Sequence, residues 1–220
     1  MPEYLPRSIR LAPTQASFDL RDLPISSPEQ AGSGPWFRLC RRVFASQFFA
    51  SPGSRLTPIS RTFPCAYLAA ALQTSVAEVW GDRLAAHRES GGRVFAIPAS
   101  LAHQWVFLRL ARLPADLRLL DLTESRSLLA AGLDAATLYL PDLSIPQAWA
   151  ERLARHPAAL DGVIYRSRHT GEKCLVLWDR PDVERSLEAR LPFEPAGEFL
   201  ESEQACILAG HLGLRMAFVK

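Results

Sequence analysis

Ser54–Trp80, SRLTPISRTFPCAYLAAALQTSVAEVW, sets out a turn, a strand and a helix in close succession. The turn is announced upstream by Ser51-Pro52-Gly53-Ser54, residues that favour tight reversals. Cys65–Ala69 is a short apolar run flanked by Pro64 and small residues, which predicts a strand. Ser75-Val76-Ala77-Glu78 predicts the start of a helix running to about His87, with Gly91-Gly92 beyond its end. Arg55, Tyr67 and Glu78 therefore fall around one strand–turn–helix junction.

Upstream, Trp36–Phe44 (WFRLCRRVF) reads as a strand. Alternation puts Trp36, Arg38, Cys40 and Arg42 on one face and Phe37, Leu39, Arg41 and Val43 on the other. Downstream, strands are predicted over 94–98, 105–111 and 117–122, then a helix over 123–131 closed by Gly132, with Asp121 or Thr123 as its cap. Ser144-x-x-Gln147 forms a capping box for a helix over 146–156. Gly162–Tyr165 and Lys173–Trp178 read as two strands joined by the polar turn Arg168–Glu172. A last helix over 202–212 stops at Gly213, and 214–219 reads as an edge strand. Helices and strands intermingle without strict βαβ alternation, which predicts an α+β domain with a single mixed sheet and flanking helices. Residues 1–34 read as an N-terminal arm, with Phe18–Leu23 as a short helix or turn; residues 35–220 read as the domain. Within it 36–178 holds the motifs and 182–220 is an extension.

At 220 residues the chain can bury a sizeable core, and its 48% hydrophobic share is that of an ordinary globular protein. Net charge is +2 with the arginines scattered, so no tract suits direct nucleic-acid binding. Cys40, Cys65, Cys174 and Cys206 show no C-x-x-C spacing and read as free thiols of a reducing compartment. No basic-then-apolar leader and no membrane-length apolar run is present, so a cytoplasmic location without a membrane is expected. The five histidines lack H-x-x-x-H spacing, and no metal site is expected. His156 and His211 fall late in predicted helices, where an imidazolium favours the dipole. Walker A, G-x-G-x-x-G and G-x-S-x-G patterns are absent.

Taken singly, the candidate residues fit bland and chemical roles alike. Arg38 and Arg55 suit an anionic ligand, because guanidinium bonds phosphate in a bidentate fashion and keeps its charge when buried; structural ion pairs serve equally. Ser75-x-x-Glu78 is a capping box, the reading favoured by spacing alone, although a first-turn carboxylate can also face a cleft. Tyr67 fits a core tyrosine, and Ser167 a turn-forming serine.

In combination, Arg38 in FRL, Arg55 in SRLTP, Tyr67 in YLA, Glu78 in SVAE and Ser167 in DGVIYRS resemble the RES domain, over about Trp36–Trp178. The chain departs from that pattern at Ser54 and Leu56-Thr57 beside the turn arginine and at Arg166, and Arg61 is a rival to Arg55. The resemblance implies a fold similar to ADP-ribosyltransferases and the degradation of NAD+ by phosphorolysis or hydrolysis of its nicotinamide bond, with inorganic phosphate as a possible co-substrate. It also implies a toxin of a toxin–antitoxin pair, partnered by an Xre-like helix-turn-helix antitoxin. Arg38 and Arg55 would hold the pyrophosphate and Tyr67 would stack on nicotinamide or its ribose. Glu78 would stabilise the oxocarbenium ion, and Ser167 would bond a phosphate or ribose oxygen. A protein ADP-ribosyltransferase, perhaps an exported effector, and a non-catalytic interaction module are the alternatives.

Overall fold

Strands β2 (Trp36–Arg41) and β3 (Cys65–Ala69) lie in the middle of an eight-stranded mixed sheet. The computed structural model describes residues 23–32, 34–50, 53–180, 186–200 and 202–220. Residues 1–22 of the arm expected over 1–34, with most of its short helix or turn at Phe18–Leu23, and the residues Ser51-Pro52 lie outside that range. In chain order the remaining elements begin with β1 (Ile25–Ser26) and α1 (Pro28–Ala31) before β2, then α2 (Leu72–Glu89), β4 (Val94–Pro98), α3 (Ala99–Ala102) and β5 (Trp105–Leu110) after β3. They continue with β6 (Leu119–Asp121), α4 (Ser125–Ala131), α5 (Ser144–Ala154), β7 (Gly162–Arg166) and β8 (Lys173–Trp178). The chain closes with α6 (Leu187–Arg190), β9 (Glu194–Glu198), α7 (Glu203–His211) and β10 (Arg215–Val219).

The sheet order is β1-β6-β7-β8-β3-β2-β5-β9, antiparallel throughout except for the parallel pair β6–β7. One seam interrupts it. β3 pairs with β8 over its whole length, and β2 with β5 likewise, but β2 and β3 pair only at Phe37–Ala69. Beyond that pair the two strands diverge, and a cleft opens between the sheet's halves.

Side chains alternate across the sheet with period two. Cys65, Ala69, Val163, Cys174, Val176 and Trp178 pack with Trp149 and Leu153 of α5 on one face. Ala66, Leu68, Ile164, Leu175 and Leu177 pack with Leu187 and Leu191 on the other. A third cluster joins Val76, Trp80 and Leu84 of α2 to Leu208 of α7 and Met216 of β10, centred on Phe199. Trp80 stacks on Phe199 at 5.6 Å and 5°. Each such fully buried large side chain contributes about 1.5–3 kcal/mol relative to exposure. Trp178 also donates its indole N–H to Leu56 O at 3.0 Å, tying the Arg55 turn to the core.

The mixed α+β architecture matches the expectation, and Cys65–Ala69, Val94–Pro98 and Lys173–Trp178 are strands over their expected spans. Helix α2 differs. It begins at Leu72 behind an Ala71 N-cap that offers no side chain, so Ser75 lies inside the helix. Ser75 Oγ donates to Leu72 O at 2.6 Å, and the expected Ser75–Glu78 capping box does not form. The box expected at Ser144–Gln147 does not form either. Asp142 Oδ1 accepts from the backbone N–H and hydroxyl of Ser144, while Gln147 donates to Ser54 O at 3.0 Å. Asp121 is likewise no helix cap: it bonds Thr123 and lies 3.3 Å from Lys173 Nζ.

His156 is buried, and burial next to Arg152 lowers its pKa, so it is neutral rather than a dipole-favouring cation. β9 has no counterpart in the expected elements. β10 pairs in parallel with β4 in a separate two-stranded sheet.

Candidate active site

Helix α2 crosses behind the seam and presents Glu78, in its second turn, to the cleft. Both carboxylate oxygens are held. Tyr165 Oη donates to Oε2 at 2.9 Å and Ser167 Oγ donates to Oε1 at 2.7 Å. Tyr165 and Ser167 are two residues apart at the end of β7, so strand periodicity points both hydroxyls to one side. Burial, and next the charge of Glu78, push the Tyr165 phenol well above its ordinary pKa, which keeps it a proton donor.

The turn after β7 completes the clamp. Ser167 Oγ accepts from the backbone N–H groups of His169 and Thr170 at 3.2 and 3.3 Å, which directs its own proton to Glu78. The turn can close on α2 because residue 81 is glycine. A Cβ there would lie 2.7 Å from His169 Nδ1. Gly81 is one helical turn from Glu78, on the same helix surface. Asp82, also lining the cleft, pairs with Arg168 and lies 3.5 Å from His169 Nε2. Burial and the neighbouring Arg168 lower the His169 pKa, so this imidazole is neutral near pH 7.

The cleft has a volume of about 710 Å³. Arg38 reaches it from β2 and is 6% exposed. Its Nη2 donates to Gln47 O at 2.9 Å, and its guanidinium lies 5.8 Å from the Phe193 ring centroid. Arg38 Nη1 is buried without a hydrogen-bond partner among the described residues. Burial lowers the Arg38 pKa, while Cys40 and Glu188 oppose the shift; an arginine so placed still carries its charge. A buried guanidinium with an unpartnered nitrogen, on a residue of the cleft wall, is suited to an anion.

Arg55 lines the same cleft, half-buried, and donates from Nη1 to Leu140 O. Its pKa is lowered by burial and then by Arg168, with Asp82 and Glu78 pulling the other way. Arg61 is exposed at a positive φ of 57° and does not line the cleft, so the structure separates the two rival arginines. Tyr67, also in the wall, shares a 3.0 Å hydrogen bond with Thr57. Burial pushes its phenol well above the ordinary range.

The structure thus brings Arg38, Arg55, Tyr67 and Glu78 to one cleft. Ser167 is 2% exposed, is not part of the wall, and meets the cleft through Glu78. The sequence reading missed Tyr165, Asp82, Arg168, His169 and Tyr139, which lines the cleft and donates to Arg166 O at 2.9 Å. Two periodicities carried a signal: Tyr165 precedes Ser167 by one strand repeat, and Asp82 follows Glu78 by one helical turn. Among the described residues no three His, Cys, Asp or Glu side chains cluster to hold a metal ion. No helix among them is long and apolar enough to cross a membrane.

A chain in the crystal structure of the M. tuberculosis MbcT–MbcA toxin–antitoxin complex is similar at 21% identity, with 79% of this chain and 89% of that chain covered and a TM-score of 0.49. No curated protein matches the sequence. The model of the RES domain matches residues 35–198, well over half of the chain. With Arg38, Glu78 and Ser167 all inside the matched span, the protein belongs to the RES domain family.

Proposed function

We propose that this protein cleaves the bond between nicotinamide and ribose in NAD+. The observation that carries the reading is the Glu78 carboxylate, fixed by Tyr165 and Ser167 at the wall of an arginine-lined cleft. NAD+ has an anionic pyrophosphate and a cationic pyridinium ribose, and the cleft offers guanidinium groups for the first and a held carboxylate for the second. As the C–N bond breaks, its electron pair leaves with neutral nicotinamide and positive charge develops on the ribose. A pre-oriented anion stabilises that charge without reorganising at the moment of reaction. The leaving group needs no proton, so positioning and electrostatics suffice. Phosphate attacking the anomeric carbon gives ADP-ribose-1″-phosphate; water gives ADP-ribose and releases a proton.

Arg38 and Arg55 are assigned to the pyrophosphate, Tyr67 to the nicotinamide riboside, and Ser167 to holding Glu78. Membership of the RES family supports a toxin's role, with an Xre-like helix-turn-helix antitoxin that covers the cleft, in the cytoplasm.

Mass spectrometry of NAD+ incubated with the purified protein, with and without phosphate, tests the reading. ADP-ribose-1″-phosphate formed only with phosphate identifies a phosphorylase, and ADP-ribose in both identifies a hydrolase. Label transferred from NAD+ to a protein band identifies a protein ADP-ribosyltransferase instead. Glu78→Ala and Arg38→Ala are expected to abolish turnover with the fold retained, and full NAD+ consumption by both variants would sink the assignment.

A further inference from the structure

At the far end of the cleft from Glu78 two phenylalanine rings stack on each other. Phe44 and Phe49 have centroids 4.7 Å apart and planes 16° from parallel, and both line the cleft. Phe49 is 43% exposed, and neither ring joins a hydrophobic core cluster among the described residues. The pair is nevertheless anchored. Phe49 N donates to Cys65 O at 2.9 Å, and Phe48 N donates to the Glu188 carboxylate. Core packing does not explain a pinned aromatic pair left open to a cleft; a ligand with a flat face does.

The neighbourhood narrows the ligand. Gln47, two residues before Phe49, supplies the carbonyl that holds the Arg38 guanidinium, whose other amino group is buried without a partner among the described residues. An anion-binding arginine thus stands beside an aromatic platform, the pairing that suits a nucleotide's phosphate and base. The sheet fixes the distance to the reacting end. Tyr165 is opposite Cys174, and Cys174 is opposite Ala69, so Glu78's clamp sits at the Ala69 end of β3. Phe49 is bonded to the Cys65 carbonyl, which faces away from β8, so it lies four residues along β3 and three strand spacings from β7. That is about 13 Å by about 14 Å, or roughly 19 Å corner to corner.

We infer that Phe49, backed by Phe44, is the seat of the adenine base, with Arg38 on the adjoining phosphate, and that this makes the site selective for a dinucleotide. The inference rests on the NAD+ reading, and its test separates the two. Calorimetry compares ADP-ribose with ribose 5-phosphate on the wild type and on Phe49→Ala, Phe49→Leu and Phe49→Trp. ADP-ribose binds the wild type more tightly, and Phe49→Ala and Phe49→Leu lose about 5-fold to 150-fold in its affinity. Phe49→Trp restores it, because tryptophan keeps an aromatic face that leucine lacks. In turnover, the kcat/KM ratio for NAD+ over nicotinamide mononucleotide falls by the same factor in the Ala and Leu variants. Absence of cleavage by the wild type would overturn the NAD+ reading, yet calorimetry would still decide the platform. Unchanged ADP-ribose affinity in Phe49→Ala would overturn the inference, and lost binding of a protein partner in that variant would reassign the rings to docking.

Discussion

Tyr165→Phe removes one oxygen atom and leaves the ring in its strand. The phenol is the only group that holds Glu78 Oε2 in the described structure, at 2.9 Å, while Ser167 holds Oε1 at 2.7 Å. A hydrogen bond to a charged acceptor is worth about 1.5–3 kcal/mol net. With one oxygen released, the carboxylate can rotate about its remaining anchor and no longer faces the ribose in one orientation. If that orientation matters only as charge develops, the whole loss appears in kcat, about 10-fold to 150-fold. The fold should stay. Tyr165 is 8% exposed and packs through its ring with the core cluster of Trp149 and Trp178. A stability cost of about 1 kcal/mol lowers the melting midpoint by about 2–4 °C. The assay is initial-rate NAD+ consumption alongside thermal unfolding. Ser167→Ala should act in the same direction, and the double variant should lose less than the product of the two, since both hydroxyls serve one carboxylate. Wild-type kcat in Tyr165→Phe, in a preparation where Glu78→Ala is inactive, would refute the clamp.

Gly162→Ala would place a Cβ 2.2 Å from Val176 O and force β7 from β8, so a loss of about 3 kcal/mol or more is expected in chemical denaturation. His156 has a depressed folded-state pKa, so its contribution is present above the unfolded value near 6.5 and is lost as pH falls through the folded value. Melting midpoints should therefore drop on acidification below about pH 6.5, and the drop should shrink in His156→Asn. Cys40, Cys65 and Cys174 are buried, and burial raises all three thiols, Cys65 up to about 12. An alkylating reagent at neutral pH should label exposed Cys206 alone in the native protein and all four thiols in denaturant; rapid native labelling of any buried thiol would contradict the packing.

The elements legible in the sequence were those whose burial repeats with the backbone. Cys65–Ala69 alternates between two cores, and 174–178 is apolar throughout because both faces of that stretch are covered. β9 was illegible for the opposite reason. Glu194-Pro195-Ala196-Gly197-Glu198 has no strand propensity and pairs only as an edge across a register shift in β5, with Gly197 at φ 142°. The start of α2 was misplaced because Ser75-x-x-Glu78 mimics a cap, whereas the true start at Ala71 carries no polar signal. The site was read for its charges and missed for its supports. A guanidinium or carboxylate attracts notice alone, but Tyr165 matters only through a partner 87 positions away, and no local pattern reports that separation.

The seam between β2 and β3 has a mechanical side. A continuous ladder resists bending across its strands; here a single residue pair, Phe37–Ala69, joins two otherwise complete ladders. Rotation of one half against the other breaks no other rung of the sheet, while α2 and the core around Trp36, Ala66 and Leu68 span both halves. Amide exchange should then be fast at Phe37 and Ala69 and slow along β3–β8, the signature of a hinge rather than of local melting.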